Sequence, residues 1–124
     1  MSKWWGAALL HLGALLLLAA VAAAETGCRV VDGDTLRCGR ERIRVHGVDT
    51  PEKGQPGYDA AKERLRQLTE GKRLRIERVA KDRYGRTVGK VTVDGENVGN
   101  RLKQEGYGKP RPPQKTRRDG RDGR

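Results

Sequence analysis

From Cys28 to Val93 the chain alternates short apolar runs with clusters of Gly, Asp and Pro, the pattern of a small, mainly β domain. Cys28–Val31 and Leu36–Gly39 predict the arms of a hairpin, and Ile43–Val48 predicts a third strand. Residues 53–58, rich in Gly and Pro, predict a loop. Asp59 is placed to cap a helix with Ala61, Leu65 and Leu68 on one face and Gly71 at its close. Leu74 and Ile76 alternate with Arg75 and Glu77, so residues 73–79 predict a strand; residues 86–93 predict another, turned by Asp94 and Gly95. A short helix from Val98 to Glu105 ends at Gly106, and Gly99 inside it is expected to cost about 1 kcal/mol of helix propensity.

The first hairpin has a register that can be tested. With a tight turn centred on Gly33, Cys28 faces Cys38, Val30 faces Leu36 and Asp32 faces Asp34. A Cys28–Cys38 disulfide fits that register; two buried free thiols are the alternative. The choice depends on the compartment, and the start of the chain bears on it. Lys3 is followed by an apolar stretch from Trp4 to Val21 and by Ala22-Ala23-Ala24, the layout of a cleaved export signal over residues 1–24. The expected product is secreted or periplasmic, with no stable membrane association after cleavage. The alternative is an uncleaved N-terminal membrane anchor.

Residues 25–108 then form the one expected domain, and residues 109–124, KPRPPQKTRRDGRDGR, read as a basic disordered tail. The chain carries 27 Lys and Arg against 16 Asp and Glu, and of the basic residues only Lys3 lies in the leader. Such a surplus favours a polyanionic partner, without separating nucleic acid from an anionic membrane. Phe is absent and both Trp residues lie in the leader, so the core must be aliphatic.

Chemistry is concentrated in three short motifs: Asp34 in DGDT, Arg44 and Asp49-Thr50-Pro51-Glu52 in IRVHGVDTPE, and Arg86 in DRYGR. Each alone is ordinary turn sequence; together they hold three carboxylates and two arginines. Two carboxylates can seat a hard divalent cation, a third can take a proton from water, and two guanidiniums can clamp a phosphate as its charge grows. Lys does not replace Arg well at such planar, two-pronged contacts. Zinc fits poorly, since His46 is the only histidine beyond the leader and both cysteines are better used in a disulfide. His46 itself reads as an exposed strand residue. Tyr84 is placed to stack on a base or bond a phosphate, with turn packing as the alternative, and Arg83 to follow a charged backbone.

In sequence and spacing, VVDGDTL, IRVHGVDTPE and DRYGRTVGKVTVDGENV resemble the thermonucleases of the staphylococcal-nuclease-like family, over roughly Cys28 to Lys109. The resemblance implies an α+β, mainly β fold: a five-stranded OB-type barrel with two flanking helices. It also implies a calcium-dependent endonuclease acting on DNA and RNA, preferably single-stranded or flexible, leaving 3′-phosphate ends; a monomer is expected. Position by position, Asp34, Asp49 and the Thr50 carbonyl correspond to calcium ligands, and Asp32 to an acid near the metal. Arg44 and Arg86 correspond to phosphate-binding arginines and Glu52 to the general base. Two departures stand out: the family's further C-terminal helix is replaced by the basic tail, and the loop between Glu52 and Asp59 is short. The competing reading is a catalytically inactive OB-type module that binds nucleic acid without cutting it.

Overall fold

The computed structural model of the protein describes residues 23–110. Residues 1–22 and 111–124, which hold nearly all of the expected leader and basic tail, lie outside the described residues. The elements are β1 (Arg29–Asp32), β2 (Thr35–Cys38), β3 (Glu41–Val45), α1 (Tyr58–Thr69), β4 (Arg75–Lys81), β5 (Thr87–Val93), β6 (Glu96–Asn97) and α2 (Val98–Gln104). The sheet runs β1-β2-β3-β5-β4, with β6 added on β5. β3 and β5 pair in parallel and the other neighbours pair antiparallel.

This is the expected mainly β fold with two helices, corrected in two respects. A sixth, two-residue strand returns from the Asp94-Gly95 turn, where both residues have positive φ, 49° and 79°, the geometry that suits a two-residue hairpin. The sheet also does not close into a continuous barrel. Its edges β1 and β4 share no ladder; the chain just before β1 meets the residue just before β4 at one bridge, Glu25 to Leu74, with N–H···O distances of 2.7 and 2.8 Å.

The core is aliphatic, as the composition requires. Leu36, Ile43, Val45, Leu65, Leu74, Val91 and Leu102 are fully buried, and Tyr107 packs against their cluster. Helix α1 begins two residues earlier than expected, and Gly57, at φ 88°, stands at its N-cap with no side-chain cap; Asp59 instead lies in the first turn, where its charge suits the helix dipole. Its buried face is Tyr58, Ala61, Leu65 and Thr69, with Leu68 only half-buried. Thr69 can enter the core because its hydroxyl donates to the Leu65 carbonyl at 2.7 Å.

The hairpin register is met in its arms and altered at its tip. Cys28 and Cys38 are disulfide-bonded with Cα atoms 4.2 Å apart, and Val30 pairs with Leu36. At the tip, however, Asp32 pairs with Thr35 across a bulge at Val31, so the turn is the two residues Gly33 and Asp34. Asp32 therefore does not face Asp34. Like charges directly opposite destabilise a sheet, and the bulge avoids that pairing.

Helix α2 reverses the expectation for Gly99. Asn97 caps the helix, its side-chain oxygen accepting the Asn100 N–H at 2.9 Å, and Val98, Gly99 and Leu102 face inward. A Cβ at Gly99 would stand 2.2 Å from the His46 carbonyl oxygen. The glycine is thus the condition for seating α2 against the end of β3. Helix propensity alone expects Gly99→Ala to stabilise by about 1 kcal/mol; the packing predicts destabilisation by about 3 kcal/mol, the cost of overfilling a close-packed contact. Chemical denaturation of the two proteins reads the sign.

Candidate active site

The β1–β2 turn, the chain after β3 and the β4–β5 loop converge on one cleft of about 390 Å³. The first component is the hairpin tip. Gly33 is buried against Thr50 and Ala61, so close that an added Cβ would lie 2.7 Å from Thr50 Oγ1 and 2.9 Å from the Ala61 Cβ. The Asp34 carbonyl accepts the Val45 N–H at 2.8 Å, which fastens the turn to β3. The Asp34 carboxylate is then held from two sides: the Thr35 hydroxyl donates to Oδ1 at 3.1 Å and the Thr50 N–H approaches Oδ2 at 3.4 Å.

Arg44 lies on β3 opposite Thr35. Its Nη2 donates to the Val48 carbonyl at 3.3 Å and stands 3.5 Å from Asp49 Oδ1 and 3.9 Å from Asp34 Oδ2. One guanidinium nitrogen thus marks where the two carboxylates converge. Asp34 is largely covered, at 13% side-chain exposure, whereas Asp49 and Glu52 are open to the cleft at 63% and 75%.

Arg86 is braced by a residue of its own motif. Asp82 Oδ2 accepts from Arg86 Nε at 2.6 Å, while Oδ1 accepts the backbone N–H groups of Tyr84 and Arg86, each at 2.9 Å. Burial disfavours charge on Asp82, but those three donors outweigh it and hold its pKa below the ordinary 3.8. Arg86 Nη1 reaches Thr35 Oγ1 at 3.4 Å, linking this loop to Asp34. Tyr84 is exposed between two cations, with the guanidinium carbons of Arg83 and Arg86 4.8 and 5.5 Å from its ring centre.

All nine residues expected from the sequence for metal, phosphate, water or substrate contact line the cleft. Asp34, Arg44, Asp49, Thr50, Glu52 and Arg86 come together, as do Asp32, Arg83 and Tyr84. His46 is exposed beside a neighbouring groove, and Cys28 and Cys38 form the disulfide away from the cleft lining.

Three further residues take part. Tyr58, expected in a loop, is buried at the start of α1 and donates to Asp32 Oδ1 at 2.8 Å; that bond, with burial, pushes its phenol up to about 12. Asp82 opens the DRYGR motif, and only the fold shows it bound to Arg86. Lys109, expected to open the tail, instead belongs to the site. Its N–H donates to the Asp49 carbonyl at 2.6 Å, and its Nζ lies 3.2 Å from Glu52 Oε1 and 3.9 Å from Asp49 Oδ1. Proline-rich basic sequence around it gives no local sign of that docking.

The donor set suits a hard cation. Carboxylates of Asp34 and Asp49, main-chain oxygen and water are oxygen ligands, and among the described residues no His or Cys lines the cleft. Thr50 Oγ1 is buried beside Asp34 with no hydrogen-bond partner among the described residues, so polar capacity there is left over. The described residues also bring Glu25, Cys28 and Cys38 close together, but both sulfurs are in the disulfide and are not metal ligands.

Residues 42–120 match the family model described as staphylococcal nuclease homologue. The chain belongs to the staphylococcal nuclease family. The match begins at Arg42, so the hairpin carrying Asp34 lies before it, and Asp34 is placed in the cleft by geometry. Among similar proteins of the family, an uncharacterized endonuclease of Haemophilus influenzae is 36% identical over 98 residues, covering 73% of this chain and 55% of that protein. A thermonuclease of Staphylococcus hyicus is 39% identical over 90 residues, 63% of this chain and 53% of that protein. A probable staphylococcal-like nuclease of Oryza sativa is 36% identical over 86 residues, 67% of this chain and 26% of that protein. The chain thus spans from about a quarter to just over half the length of these relatives.

The Asp82 brace has a pH signature. Its folded pKa is lowered, so the brace is fully present above the ordinary aspartate value of 3.8 and is lost as pH falls through the lower folded value. In a nuclear magnetic resonance titration, the Arg86 Nε–H signal is expected to stay protected down to that range and then broaden. In Asp82→Asn, whose side-chain oxygen can still accept the Tyr84 and Arg86 backbone N–H groups but carries no charge, that protection is expected to be missing at every pH.

Proposed function

We propose that this chain is an exported, calcium-dependent endonuclease that hydrolyses phosphodiester bonds of DNA and RNA without sequence preference. The observation that carries the reading is the convergence of Asp34, Asp49, Glu52, Arg44 and Arg86 on a single cleft. Names given to relatives, thermonuclease and endonuclease, point the same way.

The roles follow from what each side chain has free. Asp34, Asp49 and the Thr50 carbonyl would hold the calcium ion, and Tyr58 would keep Asp32 oriented behind them. When bound, calcium supplies a Lewis acid for a non-bridging phosphate oxygen. Arg86 has its Nε tied to Asp82, which leaves its two terminal nitrogens, with only one long contact to Thr35, aimed at a phosphate. Arg44 likewise keeps donors beyond the single nitrogen shared with the carboxylates and Val48. Two planar forks on one phosphate give bidentate, charge-assisted bonds that strengthen as the pentacoordinate dianion forms.

Glu52 is the general base. It is exposed at the cleft, its backbone N–H donates to Gln55 Oε1 at 3.0 Å, and among the described residues its carboxylate bonds only Lys109. It orients a water, removes a proton as oxygen attacks phosphorus, and leaves the 5′ oxygen to depart beside Arg86, giving 3′-phosphate ends. Tyr84, exposed between two guanidiniums, offers a stacking face for an unpaired base, which supports a preference for single-stranded or flexible substrate. Export to the periplasm or medium is supported by the apolar leader and by the Cys28–Cys38 bond.

Purified protein incubated with single-stranded DNA is expected to cleave in calcium and not in chelator. Glu52→Gln should lower turnover by about 10²–10⁴-fold while retaining binding, the usual range for a positioned base. Binding without cleavage in every condition would instead identify an inactive nucleic-acid-binding module, and undiminished cleavage by Glu52→Gln would remove Glu52 from its role.

A further inference from the structure

On the outer face of the sheet, the register sets Arg29 opposite Arg37 and Arg37 opposite Arg42. All three are exposed, and Leu36 and Ile43, which alternate with them, are fully buried. Neighbouring strands lie about 4.8 Å apart, so three guanidinium side chains stand in a row across β1, β2 and β3. Like charges directly opposite weaken a sheet. Among the described residues, none of the three pairs with a carboxylate; Arg40, Arg73, Arg75 and Arg83 have no such partner either, so what sets these three apart is their alignment in one row across neighbouring strands.

The same register locates this row relative to the cleft. Thr35 pairs with Arg44, and side chains two residues apart on a strand share a face. Arg37 and Arg42 therefore stand one two-residue step, about 7 Å, along β2 and β3 from Thr35 and Arg44. The row extends the basic surface outward from the point where Arg44 meets Asp34 and Asp49.

We propose that Arg29, Arg37 and Arg42 form a phosphate-binding exosite that holds the backbone of a polynucleotide beyond the scissile linkage. The proposal rests on the nuclease reading and adds to it a path for the strand. An uncompensated cationic row is relieved by a polyanion, and its continuity with the cleft favours a nucleic-acid strand over an anionic membrane. Contacts made there concern phosphates, so they add affinity for length and not for sequence.

The test is binding in chelator, which separates it from turnover. The full chain, its Arg29→Gln/Arg37→Gln/Arg42→Gln variant and a charge-matched control, Lys72→Gln/Arg73→Gln/Arg75→Gln, are titrated with a long oligothymidylate and with a dinucleotide over a salt series. Each phosphate contact on a single strand contributes about 0.7 to the slope of log affinity against log salt. The exosite variant is expected to lose about 2 from that slope on the long strand and little affinity for the dinucleotide, with the control like the parent. Its unfolding midpoint should not fall, since like charges are removed. Equal losses in both variants, or none in the exosite variant, would overturn the proposal even if the parent cleaves DNA with calcium. Loss of binding to phosphatidylserine vesicles alone would assign the row to membranes and also overturn it. A parent that neither binds nor cuts nucleic acid would remove the nuclease reading as well.

Discussion

The cleft exists because position 33 has no side chain. Gly33 lets the tip of the first hairpin sink against Thr50 and Ala61, to a depth at which even a methyl group would overlap both. That contact brings Asp34, on the first turn of the domain, beside Asp49 and Thr50, which follow β3. The Val45 N–H on the Asp34 carbonyl and the disulfide between the hairpin arms secure the approach from behind. Without it, the two carboxylates would belong to separate loops.

Charge is then distributed so that the functional groups are held but not exhausted. Arg44 sits between two carboxylates while using one nitrogen, and Arg86 is fixed through Nε by an acid of its own loop. Other arginines are satisfied more fully: Arg64 and Arg101 share Glu105, whose carboxyl their hydrogen bonds draw down to about 2, and Arg78 on β4 bridges Glu25, across the open seam of the sheet, and Glu41 on β3. Those arginines hold the fold, whereas Arg44 and Arg86 keep donors free in the cleft.

Much of this was legible in one dimension. Apolar alternation located the main strands and both helices within two residues at each end, except that β3 stops at Val45, three residues short of the expected Val48, and the three motifs named every carboxylate and arginine that meets in the cleft. The misses share one cause: they depend on distant contacts. Gly99 reads as a weak helix residue until His46 is seen against it. The Asp32–Asp34 pairing follows from a simple turn, and only the bulge at Val31 replaces it. Lys109 belongs by composition to the tail, yet a hydrogen bond to Asp49, sixty residues away, docks it. Tyr58 reads as loop because its helix starts on Gly57, without a side-chain cap.

The central claim is that the close approach at Gly33 builds the cation site. Calorimetric titration of calcium into the parent and into Gly33→Ala, both verified as folded by circular dichroism, tests it most directly. The account predicts one calcium ion bound by the parent, and an affinity at least about tenfold lower in the variant, although Asp34, Asp49 and Thr50 are all retained. Equal affinity in the two proteins would contradict it.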